Sequence, residues 1–256
     1  MKIKIFIFAQ NTILSRSLLN TIENKFRKRI KIVGLCSDDM LYGFCKSLSC
    51  FESDLNYVNN KKKNERKILK VISNYKPQVA FSFQHKWILS EKLINAMNSN
   101  IYNFHFGKIP EFRGHNPINY AILSKQKYIY ATTHKIYPLV DTGEIVFEDK
   151  IKNLGEIPRK IEIKLVKLFE NHLEKILRNF LNNEIVITKK IILNKKYNKF
   201  YKFADIQKIK KIKSFKELEC KALAFNQAPH EPAFFIYRNQ KYYVLKDYRE
   251  YRDIYK

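Results

Sequence analysis

The segment Asn103-Phe104-His105-Phe106-Gly107-Lys108-Ile109-Pro110-Glu111-Phe112-Arg113-Gly114-His115-Asn116-Pro117 holds the chain's densest group of chemistry-bearing side chains. Asn103 and His105 are two apart at the end of an apolar run. If that run is a strand, their side chains point the same way and Phe104 points into the opposite layer. A side-chain amide and an imidazole converging on one point can hold a carbonyl oxygen and move a proton. A second patch follows: Thr132-Thr133-His134, then Leu139-Val140-Asp141-Thr142-Gly143. Each patch alone also suits a plain structural role. The first would be a hydrogen-bonded pair at a strand end, the second an Asx-type hairpin turn.

The elements around these patches alternate. Lys2 to Phe8 begins by alternating and then runs apolar, as a strand entering a buried sheet does. Leu14, Leu18, Leu19, Ile22 and Phe26 repeat at helical spacing, and Ile30 to Cys36 predicts a second strand. Residues 37–63 are polar and irregular and are expected to be a surface excursion. A helix over about 64–74 leads to a buried strand at Val79–Phe83. Ser90 caps a helix over 91–98, and Ile101 to His105 is the next strand. This pattern predicts an α/β fold with a mostly parallel sheet covered on both faces. The Asn103/His105 pair then lies at a strand's carboxyl end, where open α/β sheets place ligands.

Farther on, Tyr128–Tyr137 and Glu144–Asp149 are strand-like, and Pro158 opens an amphipathic helix to about Asn182. Residues 185–216 hold eleven lysines and a single acid, Asp205. The expected division is a catalytic domain over 1–184, a lysine-rich connector over 185–213, and a helix-plus-hairpin unit over 214–256. In that last unit Ser214 and Glu217 fit a capping box, and Ala233–Tyr237 with Tyr242–Lys246 form the hairpin.

Composition limits the function classes. Of 256 residues 45% are hydrophobic, which excludes a largely disordered chain. No apolar run approaches the ~18 residues a membrane span needs. The run Ile5–Ala9 is too short for a signal-peptide core. The four cysteines lack zinc-site or CxxC spacing and read as free thiols of a reducing cytoplasm. The histidines lack metal-ligand spacing, so no metal is expected. No Gly-rich dinucleotide fingerprint or Walker loop is present. The formal charge of +25 favours anionic partners. Thirty-nine of the 49 basic residues are lysines in an Asn- and Ile-rich chain, a compositional bias that raises lysine on any solvated face.

Together and in this order, N-x-H-x-x-x-x-P-x-[FY]-R-G-x-x-P, T-x-H and D-T-G-x-I resemble the signature of the 10-formyltetrahydrofolate-dependent formyltransferases. The resemblance covers roughly residues 1–180 and is strongest over 101–145. It implies a Rossmann-like formyltransferase core and N10-formyltetrahydrofolate as donor. It also implies a catalytic trio of Asn103, His105 and Asp141. Asn103 and His105 would bind the formyl oxygen as the tetrahedral intermediate forms. Asp141 would position His105 and take the proton of the attacking amine. The pterin would lie against Trp87, Ile88 and Leu89 on one side and Leu139 and Val140 on the other. Lys86, Lys108, Arg113 and Gly114 flank the motif as substrate-binding candidates for anionic groups.

Three acceptors compete within that resemblance: glycinamide ribonucleotide, whose transformylases resemble only the core and fit the Phe112-Arg113-Gly114 run less well, methionyl-tRNA and a sugar nucleotide. Gly107 stands where many tRNA-formylating members carry Ser, and those members append a β-barrel of roughly a hundred residues. Here 56 residues follow position 200. The layout is most similar to the sugar-nucleotide N-formyltransferases, whose tail is echoed by Lys221-Ala222 and residues 233–246. The expected acceptor is therefore the amine of a nucleotide-linked amino-dideoxy sugar used in surface-polysaccharide (O-antigen) synthesis, in the cytoplasm. Methionyl-tRNA formylation is the alternative, and a non-enzymatic basic RNA-binding module the second. Neither a membrane nor nucleic acid is an expected partner. The relatives imply a homodimer through the C-terminal unit, in competition with packing of the hairpin on the helix near 214–224.

Overall fold

The computed structural model describes residues 2–192, 207–211, 214–227 and 230–247, with residues 52–55 by their backbone. Their elements begin with β1 (Ile3–Ala9), α1 (Ile13–Phe26), β2 (Ile30–Ser37), α2 (Asp39–Cys45), β3 (Phe51–Asn59), α3 (Glu65–Tyr75), β4 (Val79–Phe83) and α4 (Glu91–Ala96). They continue with β5 (Ile101–His105), α5 (Pro117–Leu123), β6 (Tyr128–Lys135), β7 (Ile145–Lys152), α6 (Pro158–Leu181), α7 (Phe215–Ala224), β8 (Ala233–Tyr237) and β9 (Gln240–Val244). A seven-stranded sheet runs in the order β3-β2-β1-β4-β5-β6-β7. The pairings β1–β2, β1–β4, β2–β3 and β4–β5 are parallel, and β5–β6 is antiparallel. The order reverses beside β1, which creates the switch point where doubly wound sheets open a crevice at their carboxyl ends.

β1 is central because Ile5 through Ala9 are fully buried, including side chains of both faces. Such a strand cannot tolerate a polar position. Gly34 on β2 lies so close to the Phe6 ring that an added Cβ would sit 2.4 Å from it, so only glycine fits there. Thr12 caps α1 by accepting from Ser15 N at 3.2 Å. Ser15 Oγ in turn donates to Phe83 O at 3.2 Å, pinning the start of α1 to the carboxyl end of β4. Ser90 caps α4 as expected, accepting from Leu93 N at 3.3 Å.

Residues 37–63 depart from expectation, since they contain α2 and the edge strand β3. Asp38 caps α2 through Leu41 N at 2.9 Å. β3 pairs on one side only, so it lacks the apolar run of a central strand, and of its described side chains only Val58 is buried. α5 was likewise unforeseen, because its seven residues are too short to declare a helical period.

The chain divides into two compact units. The first comprises Met1–His105, Ala131–Glu148 and Val166–Ile192; the second comprises Phe106–Tyr130, Asp149–Leu165 and the chain from Leu193 on. In the second unit α5 meets α7, with Asn119 Nδ2 donating to Ala224 O at 2.5 Å. Ser214 caps α7 through Glu217 N at 3.2 Å. β8 and β9 form an antiparallel hairpin around Arg238 and Asn239, whose φ values of 47° and 60° suit a tight two-residue turn. Residues 193–206 and 212–213 of the expected connector lie outside the described residues.

Candidate functional site

β5 sets the site by its pleat. Phe104 faces the core, 5.4 Å from the Phe83 ring and 5.6 Å from Phe169 centroid to centroid. That anchor turns Asn103 and His105 together to the other face, and slipping the strand by one residue would exchange them with Phe104. β6 runs antiparallel beside it with Asn103 opposite His134 and His105 opposite Thr132. The pairing therefore delivers His134 to the face that carries Asn103.

The chain then leaves β6 and turns back, with Lys135 N donating to Glu144 O at 2.9 Å. This return passes so close to β6 that a Cβ on Gly143 would lie 1.8 Å from Lys135 O. Glycine is obligatory there. Within the turn Thr142 Oγ1 donates to Leu139 O at 2.8 Å. Asp141 takes a left-handed backbone with φ 49°, a conformation that costs an L residue ~1–2 kcal/mol and is easiest for Asn or Asp. The strain aims its carboxylate at the two histidines. Oδ2 is 3.5 Å from His105 Nδ1, and Oδ1 is 3.2 Å from His134 Nε2. Asn103 Nδ2 lies 3.4 Å from the same Oδ1 and 3.2 Å from His134 Nε2. His105 is 6% exposed and His134 1%, so the group works largely out of water. There, hydrogen bonds and charges act through a low dielectric.

The expected trio of Asn103, His105 and Asp141 is thus brought to one point. His134, noted in the sequence only as part of T-x-H, joins it. What reveals its role is the β5–β6 register, which neither patch carries by itself.

The other expected residues are distributed as follows. Leu89 is buried in the core cluster of Phe6, Phe8 and Leu93, and Trp87 packs against that cluster together with Ile136. Ile88 and Leu139 are 62% and 65% exposed, Val140 is half-buried, and Lys86 is exposed. Beside Trp87, the His85 ring meets Phe8 and Trp87 edge-on at 5.4 and 4.6 Å. Burial pushes the His85 imidazole down to about 3, so it is neutral. Lys108, Arg113 and Gly114 belong to the second unit. There Lys108 Nζ pairs with Glu111 at 2.7 Å, and Gly114 adopts φ 91°. Among the described residues no group of three or more His, Cys, Asp or Glu could hold a metal ion. No described helix is long and apolar enough to cross a membrane.

The chain is similar to several known proteins. The bifunctional polymyxin resistance protein ArnA of Wigglesworthia glossinidia brevipalpis is 30% identical over 89 residues, 35% of this chain and 14% of that much longer protein. A 4-N formyltransferase from Francisella tularensis is 25% identical, with TM-score 0.70 over 94% of this chain and 96% of its own. An N-formyltransferase from Helicobacter canadensis, solved with folinic acid and dTDP-3-aminofucose, is 16% identical; its fold matches with TM-score 0.68 over 93% of this chain and 86% of its own. The formyl transferase family model matches residues 1–157, a span that contains Asn103, His105, His134 and Asp141. The chain belongs to the formyl transferase family.

Proposed function

We propose that the chain transfers a formyl group from N10-formyltetrahydrofolate to the amine of a nucleotide-linked amino-dideoxy sugar. The observation that carries this reading is the convergence of Asn103, His105 and Asp141 on one face at the carboxyl end of β5. In the proposed reaction the amine nitrogen attacks the formyl carbon, and the carbonyl electron pair moves onto oxygen. The Asn103 amide and the His105 imidazole stabilise that oxyanion, a role in which one donor is worth ~10²–10³ in rate. Asp141 takes the proton that the amine loses. Collapse of the intermediate breaks the bond from carbon to N10, which leaves protonated as tetrahydrofolate. Burial lets positioning and proton transfer suffice, so the reaction needs no metal.

The donor and acceptor are supported by the Helicobacter canadensis enzyme, whose likeness extends over 93% of this chain. Ile88, Leu139 and Val140, with the backbone around Trp87 and Leu89, are proposed to receive the pterin. Lys86, Lys108, Arg113 and Gly114 are proposed to meet the folate glutamate or the acceptor's pyrophosphate. A catalytic domain over 1–184, a connector over 185–213 and a tail unit over 214–256 remain the proposed division. A cytoplasmic homodimer serving surface-polysaccharide synthesis completes the reading.

The test is to incubate the protein with N10-formyltetrahydrofolate and a panel of amino-sugar nucleotides, and to read a 28-dalton gain by mass spectrometry. Formylation of at least one sugar nucleotide is expected. Formylation of initiator methionyl-tRNA alone would replace the acceptor, and transfer to neither would remove the function.

A further inference from the structure

His134 holds a position that its neighbours define chemically. Its Nδ1 lies 2.7 Å from Lys135 O, an atom that can only accept, so Nδ1 carries a hydrogen. In the neutral ring Nε2 is then bare, and it faces Asp141 Oδ1 at 3.2 Å. Two lone pairs opposed at that distance repel each other, and at rest the Asn103 amide, within reach of both atoms, offsets this. Asn103 Nδ2 sits 3.2 Å from Nε2 and 3.4 Å from Oδ1, so its N–H can serve whichever atom is without the proton. The titratable groups facing His134 are Asp141 and, with ring centroids 6.3 Å apart, His105. The side chain of Lys135 is directed to Glu144 at 3.8 Å.

Resting on the formyl-transfer reading, we propose that His134 stores the proton that the attacking amine gives up. As the bond from nitrogen to carbon forms, the amine proton passes to Asp141 and on to His134 Nε2. The resulting imidazolium has both N–H groups satisfied, Nδ1–H by Lys135 O and Nε2–H by Asp141. When the bond from carbon to N10 breaks, its electron pair stays on N10, and the same proton returns through Asp141 to N10. One proton has moved from acceptor to donor, and His134 ends neutral. Asp141 is thereby a carboxylate again for the next turnover. His134 acts through Asp141 and touches neither substrate, so it is a positioning and proton-holding residue.

His134→Gln keeps an N–H that can reach Asp141 but cannot take up a proton. With wild-type transfer established first, the variant is expected to lose ~10²-fold in kcat, the scale of one proton-transfer group, with both KM values within about threefold of wild type. A kcat within about threefold of wild type overturns the proposal while leaving the formyl-transfer reading intact. Absence of wild-type transfer refutes that reading instead. A second measurement needs no variant. Nitrogen NMR of the His134 ring should show a neutral Nδ1–H ring in the free wild type and an imidazolium with a stable analogue of the tetrahedral adduct bound. A ring that stays neutral in that complex overturns the proposal even if His134→Gln fails to fold.

Discussion

Three side chains carry the proposed chemistry at the residue scale, and a fourth records how burial is used nearby. Asn103→Ala, His105→Ala and Asp141→Ala each remove one member of a mostly buried array, so each should lower kcat by ~10²–10³. Circular dichroism should show all three folded, because none of the three belongs to the apolar core. A folded variant with wild-type turnover removes its residue from the mechanism. His85 illustrates the opposite use of a buried imidazole, as packing material. Both its ring nitrogens are buried without a hydrogen-bond partner among the described residues, and burial pushes it down to about 3. The unfolded chain protonates the same ring near its ordinary value of ~6.5. The stability it contributes as a neutral ring is therefore full above pH ~6.5 and is lost as the pH falls toward 3. The melting temperature of His85→Phe relative to wild type should rise as pH is lowered from 7 to 4. A difference that does not change with pH would show that the ring is not held neutral.

At the scale of elements, the site is a product of one strand pairing and one tight return. Gly143→Ala places a methyl group where Lys135 O already sits, 1.8 Å away. The turn must move, and Asp141 with it. The variant should keep its sheet and lose activity ~10²-fold, since small misplacements of a reacting group carry penalties of that order. Wild-type kinetics in a folded Gly143→Ala would show that the turn has slack. The same elements show what a sequence reveals. β1, β4 and β5 are legible as short apolar runs, and α1 and α6 as apolar residues repeating at helical spacing. β3 is not, because an edge strand buries little and spends its side chains on polar contacts. Tyr57 and Asn59 there both bond to Asp39. The trio was legible as residue types in order. The partner His134 was legible only as the histidine of T-x-H, because its place depends on β6 running antiparallel to β5 in one particular register, a long-range fact that no local spacing encodes.

Across the whole molecule, the C-terminal hairpin presents the clearest question. Ile236, Tyr237 and Tyr243 are 50–55% exposed, and Tyr242 is 41% exposed, a dense set of large apolar groups for two short strands. A twofold partner would cover them, and isologous contacts are the commonest solution for soluble oligomers. Light scattering should give the mass of a dimer for the full chain and of a monomer after deletion of residues 228–256. A full-length monomer at micromolar concentration refutes the dimer, and a dimer that survives the deletion moves the interface elsewhere. The division of the chain has a further consequence. The face proposed to be catalytic is fixed by β5 up to His105 and by β6 from Ala131, while residues 106–130 between them belong to the other unit. The sheet ladder, and not the intervening segment, holds Asn103 opposite His134. Under the proposed reading, reaction and recognition are carried by different parts of the chain: the proton-handling side chains lie in one unit, and Lys108, Arg113 and Gly114, proposed to meet anionic groups of the substrates, lie in the segment 106–130 of the other.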